Sequence, residues 1–200
     1  MSRTTEDLLL DEGNKAEKQE PLVVAAVDTD DISCSYSNLH TVRQEKKETC
    51  GAFFNRTISQ VKGDYYIFMG RGFEFSTTAT VDILIRLFKS KKLMGFGGIY
   101  TDLLIVDGDT ILCTKHNPSY DLNLVKQHHI INLPFIVDAR FGLPRFKEEL
   151  DVLSLWDGMI QAMVSAPMYH VASPLFCMEN TTVTKDIQNE IRIINETHYS

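Results

Sequence analysis

The sequence predicts an α/β fold with a mixed, mostly parallel sheet flanked by helices. Two short apolar runs, at 22–27 and 65–69, have the length and composition of strands that are buried on both faces. Helical patterns at 50–62 and 147–165 alternate with such runs. The chain has 200 residues, of which 44% are hydrophobic, and this is enough for one sizeable core. We therefore expect a single globular domain.

The chain divides into three segments by composition. Residues 1–20 are rich in charges and contain one apolar cluster, Leu8-Leu9-Leu10, so they are predicted to form a flexible acidic arm. A solvated tail explains this arm better than a segment that docks on a partner. The α/β domain is expected at 21–180. The segment 181–200 has isoleucines at helical spacing and is predicted to form a C-terminal helix and tail.

The elements of the first half follow from local patterns. The strand at 22–27 ends abruptly in acidic residues. The helix at 50–62 is stopped by Gly63 and leads into the strand at 65–69. Ser76 or Thr77 is expected to cap the next helix, which has a clear apolar stripe.

The second half begins with a predicted hairpin. Two β-rich runs flank Asp107-Gly108, which favours a tight turn. An apolar run at 130–137 leads into a loop with Gly142 and Pro144, and the helix at 147–165 follows. Residues 168–178 are then expected to form one or two short strands.

Composition excludes several classes of function. The net charge of −7, from 27 acidic and 20 basic residues, gives no basic surface for nucleic acid. No apolar run approaches the roughly 20 residues that span a bilayer, and the N-terminus does not resemble a secretory signal, so a cytoplasmic protein is expected. The four cysteines form no CxxC pair, which argues against a zinc site or a disulfide framework.

The order of several motifs resembles the family 2 glycosyltransferases, which have the GT-A nucleotide-sugar-binding fold. The resemblance covers about 22–180 and is based on the segments VVAAVDTDD, NRTISQVKGDYYIF, GIYTDLLIVDGD, PRFKEELDVLSLWDGMIQAM and YHVASPLFCM. It implies a donor site in which an Asp-x-Asp pair follows the central strand and holds a divalent metal and the donor diphosphate.

The chain departs from the family at this metal-binding pair. The matching positions are Gly70 and Gly72, with Arg71 between them. A divalent cation needs hard oxygen ligands, which Gly-Arg-Gly does not supply. We therefore expect no metal and no other cofactor at this position.

A second departure affects the general base. The resemblance places the family's acidic pair at Ser154 and Leu155, and neither side chain accepts a proton near neutral pH. Asp151 and Asp157 are the remaining catalytic alternatives, but helical geometry directs them elsewhere.

The third departure concerns the N-terminal half of the fold. A βα unit that helps to bind the nucleotide precedes the acidic-ended strand in the family, and such a unit needs roughly 30 residues. Only 20 residues precede Pro21. The first βα unit is therefore predicted to be missing.

These departures favour a degenerate glycosyltransferase-like domain that has lost catalysis and acts as a structural or binding module in a larger assembly. The alternative is an active transferase in which Asp28 and Asp30, with Asp31 as a spare ligand, bind Mn²⁺ or Mg²⁺ and a nucleotide-diphospho-sugar. A third possibility is an α/β protein unrelated to sugar transfer.

The resemblance also indicates possible partners. Tyr100, Asp102, Trp156 and His170 match acceptor-side positions, so glycan recognition at this surface is a possible remaining activity. Trp156 and His170 are better explained as packing residues. Because a sheet without its first βα unit has an edge to cover, we expect other protein chains as partners, in a homo- or hetero-assembly.

Overall fold

The fold is given by a computed structural model that describes six stretches of the chain: 19–28, 32–90, 95–119, 122–123, 133–180 and 187–198. The predicted acidic arm at 1–20 lies almost entirely outside these stretches. Asp30 and Asp31 also lie outside the described residues.

The described residues form eight strands and four α-helices. The strands are β1 (Val23–Val27), β2 (Leu39–Arg43), β3 (Tyr65–Phe68), β4 (Phe73–Phe75), β5 (Gly98–Asp107), β6 (Thr110–Lys115), β7 (Phe135–Asp138) and β8 (Met168–Glu179). The helices are α1 (Cys50–Gln60), α2 (Thr80–Lys89), α3 (Ser154–Ser165) and α4 (Gln188–His198).

One mixed sheet contains all of these strands. Its order is β2-β1-β3-β7-β5-β8-β4, and β6 pairs with β5 beside this path. The pairs β1–β2, β1–β3 and β5–β8 are parallel, whereas β7 is antiparallel to both β3 and β5. The pairs β4–β8 and β5–β6 are also antiparallel. The predicted α/β class with a mixed sheet is confirmed, and five of the eight strands run in one direction although four of the seven pairings are antiparallel.

The strand register brings three predicted segments to one edge of the sheet. Ala26 pairs with Phe68, and Tyr100 lies opposite Phe135, which in turn pairs with Phe68. Ala26, Phe68 and Tyr100 therefore lie at the same level of the sheet. The residues two positions after them, Asp28, Gly70 and Asp102, lie together at the next level. In open α/β sheets, ligands bind at this carboxyl edge of the parallel strands.

An aromatic cluster packs the helices against the centre of the sheet. The Phe54 ring of α1 and the Phe68 ring of β3 each lie 4.8 Å from the Phe146 ring, which comes from the segment before α3. Asn55 ties the same segment to α1 through two hydrogen bonds with the backbone of Phe146, at 2.8 and 3.0 Å.

Two helices begin later than the sequence predicts. The helix α3 begins at Ser154 instead of near 147, because the preceding residues form turns, and the Leu150 carbonyl accepts the Gly51 N–H at the start of α1. The helix α2 begins at Thr80, with Ala79 and neither Ser76 nor Thr77 at the N-cap position.

The strands also differ in detail from the prediction. The segment at 168–178 forms one long strand, β8, and the hairpin turn at Gly108 has the predicted form, with a φ of 55°. The strand β2 was not predicted. It forms the sheet edge beside β1, and among the described residues no helix lies between β1 and β2. None of the helices in the described part of the chain is long and apolar enough to cross a membrane.

Candidate functional site

The turn at Gly70-Arg71-Gly72 leaves β3 at the carboxyl edge of the sheet, and Arg71 is bonded to its protein neighbours. Its Nε donates to Gln44 Oε1 at 3.2 Å, and its Nη2 donates to the Glu48 carbonyl at 3.2 Å. Its Nη1 lies 3.8 Å from Asp151 Oδ2. The guanidinium therefore ties this turn to the segment after β2 and to the segment before α3.

The positions that match the two acidic motifs of the family lie against each other. A Cβ on Gly70 would lie 3.3 Å from Leu155 Cδ1, and 3.7 Å from the Phe73 ring. Leu155 is 1% exposed. The place between the turn and the start of α3 is therefore an apolar contact rather than a pair of carboxylates.

Asp151, one of the two catalytic alternatives, is held by contacts with two other segments of the fold. Its Oδ1 accepts the Cys50 N–H at the start of α1, at 3.2 Å, and its Oδ2 faces Arg71. A carboxylate at a helix N-terminus is stabilised by the positive end of the helix dipole. Asp151 thus fastens the start of α1 to the start of α3.

Asp157, the other catalytic alternative, is completely buried. Its Oδ2 accepts hydrogen bonds from the Lys147 N–H and the Gln161 amide, and its Oδ1 lies 2.7 Å from His198 Nε2. These contacts leave no route for an acceptor hydroxyl to reach the carboxylate. The sequence gives no sign of the His198 contact, because 41 residues separate the partners.

Asp102 lies at the centre of a hydrogen-bonded cluster at the same edge. Its Oδ1 accepts the Asn117 N–H and lies 2.9 Å from His170 Nε2, while its Oδ2 lies 2.9 Å from His116 Nδ1. Burial raises the pKa of the Asp102 carboxyl, but the hydrogen bonds from Asn117, His116 and His170 outweigh burial and lower the pKa below its ordinary value. The carboxylate is therefore charged at neutral pH.

The structure brings three of the four predicted acceptor-side residues together. The Tyr100 and His170 rings stack at 5.1 Å, and the Tyr100 hydroxyl donates to the Pro118 carbonyl. Trp156 is completely buried in the core, and Tyr100 and Asp102 are buried as well, so of the four predicted residues only His170 is partly exposed. His116 was not predicted, yet its side chain is 80% exposed and is the most accessible group of the cluster.

A small cavity opens beside the end of β3. It has a volume of about 240 Å³ and is lined by apolar residues, by serine and threonine residues and by one glutamate: Ile32, Met69, Phe73, Phe75, Ser33, Ser76, Thr77, Thr78 and Glu74. Among the described residues that line it there is no lysine or arginine, so none of these residues offers a positive partner to a donor diphosphate.

The described residues contain no metal centre. No three histidine, cysteine, aspartate or glutamate side chains within them converge closely enough to hold an ion. Asp28 lies at the carboxyl edge and is partly buried, while its predicted partners Asp30 and Asp31 fall outside the described residues. The alternative metal pair therefore stays a prediction.

Comparison with solved structures adds the deciding observation. The chain matches the crystal structure of S. aureus TarS 1-349, a GT-A glycosyltransferase, with a TM-score of 0.53 and 12% sequence identity. This chain has a GT-A-like fold. The match covers 78% of this chain and 59% of the TarS chain, so the present chain spans less than two thirds of that structure.

Sequence comparison gives no further relative of this GT-A-like domain. No protein-family model and no curated protein matches the chain. At 12% identity the likeness to TarS shows the fold alone. Membership of glycosyltransferase family 2 stays a prediction.

Proposed function

We propose that this GT-A-like domain has lost metal-dependent sugar transfer and acts as a structural or binding module in a larger assembly. The observation that carries the proposal is the contact between Gly70 and Leu155. An enzyme of the family would have a metal ligand at the first position and an acidic residue at the second.

The charge of Arg71 supports the same conclusion. Its guanidinium lies in the turn that would hold the cation, and hydrogen bonds to Gln44 and Glu48 keep it there. A fixed positive charge opposes the approach of a divalent cation over a few ångströms. A carboxylate in place of Arg71 would also remove the contact with Asp151, whose side chain connects the start of α1 with the start of α3.

The remaining acidic residues near α3 do not replace the missing base. A general base has to come within hydrogen-bond reach of the proton that it removes. The Asp157 carboxylate is completely buried, and the Asp151 carboxylate is bonded to Cys50 and close to Arg71. Both side chains are explained by the packing of the helices.

Calorimetric titration tests the proposal directly. The purified protein is titrated with uridine, guanosine and thymidine diphosphates, each with and without Mn²⁺. We expect no Mn²⁺-dependent heat with any of them, because the described residues contain no set of hard oxygen ligands.

The alternative function is an active transferase that uses Asp28 and Asp30. The position of Asp28 at the carboxyl edge favours it, since ligands of α/β sheets bind there. Mn²⁺-dependent binding that the double variant Asp28→Ala/Asp30→Ala abolishes would establish this alternative. The matched control is Asp107→Ala/Asp109→Ala, which removes the other Asp-x-Asp of the chain from the exposed hairpin.

The assembly part of the proposal has its own test. Sedimentation velocity over a range of concentrations measures whether the chain associates with itself. Association that strengthens with concentration supports a homo-assembly. A strict monomer moves the search to a hetero-partner, and a monomer that captures no defined partner in its native extract contradicts the assembly role.

A further inference from the structure

The C-terminal helix α4 contacts the start of α3 through one carboxylate. Glu190 Oε2 accepts the Leu153 N–H at 2.8 Å and the Asp151 N–H at 3.3 Å, while its Oε1 accepts the Val152 N–H at 3.3 Å. The first N–H groups of a helix have no partner within the helix. Since no side chain of its own caps α3, Glu190 fills this role from another element.

A second polar contact holds the far end of α4. His198 Nε2 lies 2.7 Å from Asp157 Oδ1, and both side chains are almost or completely buried. Glu190, Ile194 and His198 are spaced four residues apart, so they share one face of α4. Ile194 is completely buried between the two polar contacts. Polar contacts near both ends of α4 therefore hold it against residues 151–157, at the start of α3.

The segment that Glu190 holds also carries Asp151. The Asp151 carboxylate accepts the Cys50 N–H at the start of α1 and faces Arg71 in the turn after β3. Arg71 in turn bonds to Gln44 and Glu48. A continuous series of polar contacts thus runs from the C-terminal helix to the carboxyl edge of the sheet.

We infer that α4 is a strap that fixes the Arg71 turn, so that release of α4 loosens Asp151, Arg71 and the start of α1 together. Glu190 sets the position of the Asp151 backbone, and the Asp151 side chain sets the positions of its two partners. Coupling of this kind is carried by contiguous packed and hydrogen-bonded groups. It is independent of whether the domain transfers sugar.

The coupling has a specific consequence for the candidate site. The helix α4 engages the Asp151 backbone just before α3 and the Asp157 carboxylate within α3. Release of α4 would remove both contacts and loosen the Asp151 side chain, which faces Arg71 in the turn at the carboxyl edge of the sheet. The position of α4 and the geometry of that turn are therefore linked, whether or not the domain transfers sugar.

Hydrogen–deuterium exchange of Glu190→Gln tests this inference. We expect amide exchange to become about tenfold faster at 151–153, where the hydrogen bonds to a charged acceptor are weakened. Coupling requires faster exchange also at the Cys50 amide and in the turn at 70–72, which Glu190 does not touch. The matched control is Glu196→Gln on the same helix, whose carboxylate bonds only to Arg192 at the surface among the described contacts.

The reverse experiment uses Arg71→Gln, which changes no residue of α4. Coupling is reciprocal, so loss of the Arg71 contacts should speed amide exchange within 188–198. Trp156 is the single tryptophan of the chain, and it is completely buried in α3 directly before Asp157, the residue that His198 contacts, so its fluorescence monitors packing at the start of α3.

Any one of three results would overturn the inference. One is faster exchange in Glu190→Gln that stays confined to 151–153 and α4, with the Cys50 amide and the turn at 70–72 unchanged. Another is an Arg71→Gln variant in which α4 exchanges as it does in the wild type. Equal effects of Glu190→Gln and Glu196→Gln would also contradict it, because only the first residue contacts α3.

Discussion

At the residue scale, burial and neighbouring charge determine how individual side chains react. Burial, and after it the negative charge of Asp151, raises the pKa of the Cys50 thiol to about 12. Cys113 on β6 is exposed. Since the thiolate is the reactive form, burial both closes access to Cys50 and keeps its thiol protonated, whereas the Cys113 side chain is accessible.

We therefore expect a thiol reagent to modify Cys113 and to leave Cys50 unmodified in the native protein. Peptide mass spectrometry after brief alkylation near pH 8 measures the modified fraction at each position. In guanidinium chloride both cysteines should react at similar rates, which provides the control. Modification of Cys50 at the rate of Cys113 in the native state would show that the start of α1 is open.

A second prediction concerns Asp102, whose pKa is lower in the folded protein than in the unfolded chain. The stability that it contributes is complete above the unfolded value of about 3.9 and is lost as pH falls through the lower folded value. Asp102→Asn should cost about 1–3 kcal/mol at pH 7, because the buried Asn117 N–H, the partly buried His170 and the exposed His116 lose a charged acceptor.

Urea unfolding of the wild type and Asp102→Asn from pH 7 down to about pH 3 measures this effect. The difference between their free energies of unfolding should shrink at the acid end. A difference that stays constant with pH would mean that packing, and not charge, explains the cost. The exposed carboxylate of Asp109 gives a control variant, Asp109→Asn, for which we expect less than about 0.5 kcal/mol.

The sequence predicted part of this residue-scale picture. Tyr100, Asp102 and His170 were grouped by their resemblance to the family, and they do meet because β5 and β8 are neighbours in the sheet. His116 and Glu190 were missed. His116 contacts Asp102 and Glu190 contacts Leu153, and both contacts depend on how the strands and helices pack together.

At the element scale, the Phe146 ring packs so closely against α3 that position 158 has to be a glycine. A Cβ on Gly158 would lie 2.1 Å from Phe146 Cε1. The Phe146 ring cannot easily move away, because the Phe54 and Phe68 rings pack against it at 4.8 Å. A helix interior normally prefers alanine to glycine, but here contact with a fixed ring decides.

Gly158→Ala should therefore lower the free energy of unfolding by about 1–3 kcal/mol, despite a gain in helix propensity of at most about 1 kcal/mol. Denaturant unfolding measures the change. Val164→Ala on the same helix is the control, since Val164 is 63% exposed and should cost less than about 0.5 kcal/mol. A Gly158→Ala protein as stable as the wild type would show that the Phe146 ring repacks freely.

The bounds of the elements were predicted less well than their order. The charged residues before Ser154 have good helix propensity, but their backbone groups instead bind the start of α1. Tertiary contacts thus override a local preference. The strand β2 was missed because its alternating polar residues lie at an edge of the sheet, where burial leaves no continuous apolar run.

At the scale of the whole molecule, one core joins the described helices and all strands except the exposed β6. The buried residues form one cluster that extends from Val23 in β1 to Ile194 in α4. Domains with a single core usually unfold in one cooperative step. We expect the same here, with α4 included in the cooperative unit.

Unfolding followed by Trp156 fluorescence and by far-ultraviolet circular dichroism should therefore give coincident transitions. The first signal reports packing around α3, and the second reports the secondary structure of the whole chain. A fluorescence change that precedes the loss of secondary structure would mean that α3 and α4 separate from the sheet first. Repetition with Glu190→Gln would then show whether the strap limits this step.

The pairing of β5 determines when the sheet can form while the chain is being synthesised. All three of its partners, β6, β7 and β8, come later in the sequence, and β4 pairs with β8 alone in the described sheet. A nascent chain that has not yet reached Met168 therefore exposes unpaired strand edges, which are sites of aggregation. This domain completes its sheet only after β8 has been synthesised, so products that terminate before Met168 should be cleared or aggregate rather than accumulate in folded form.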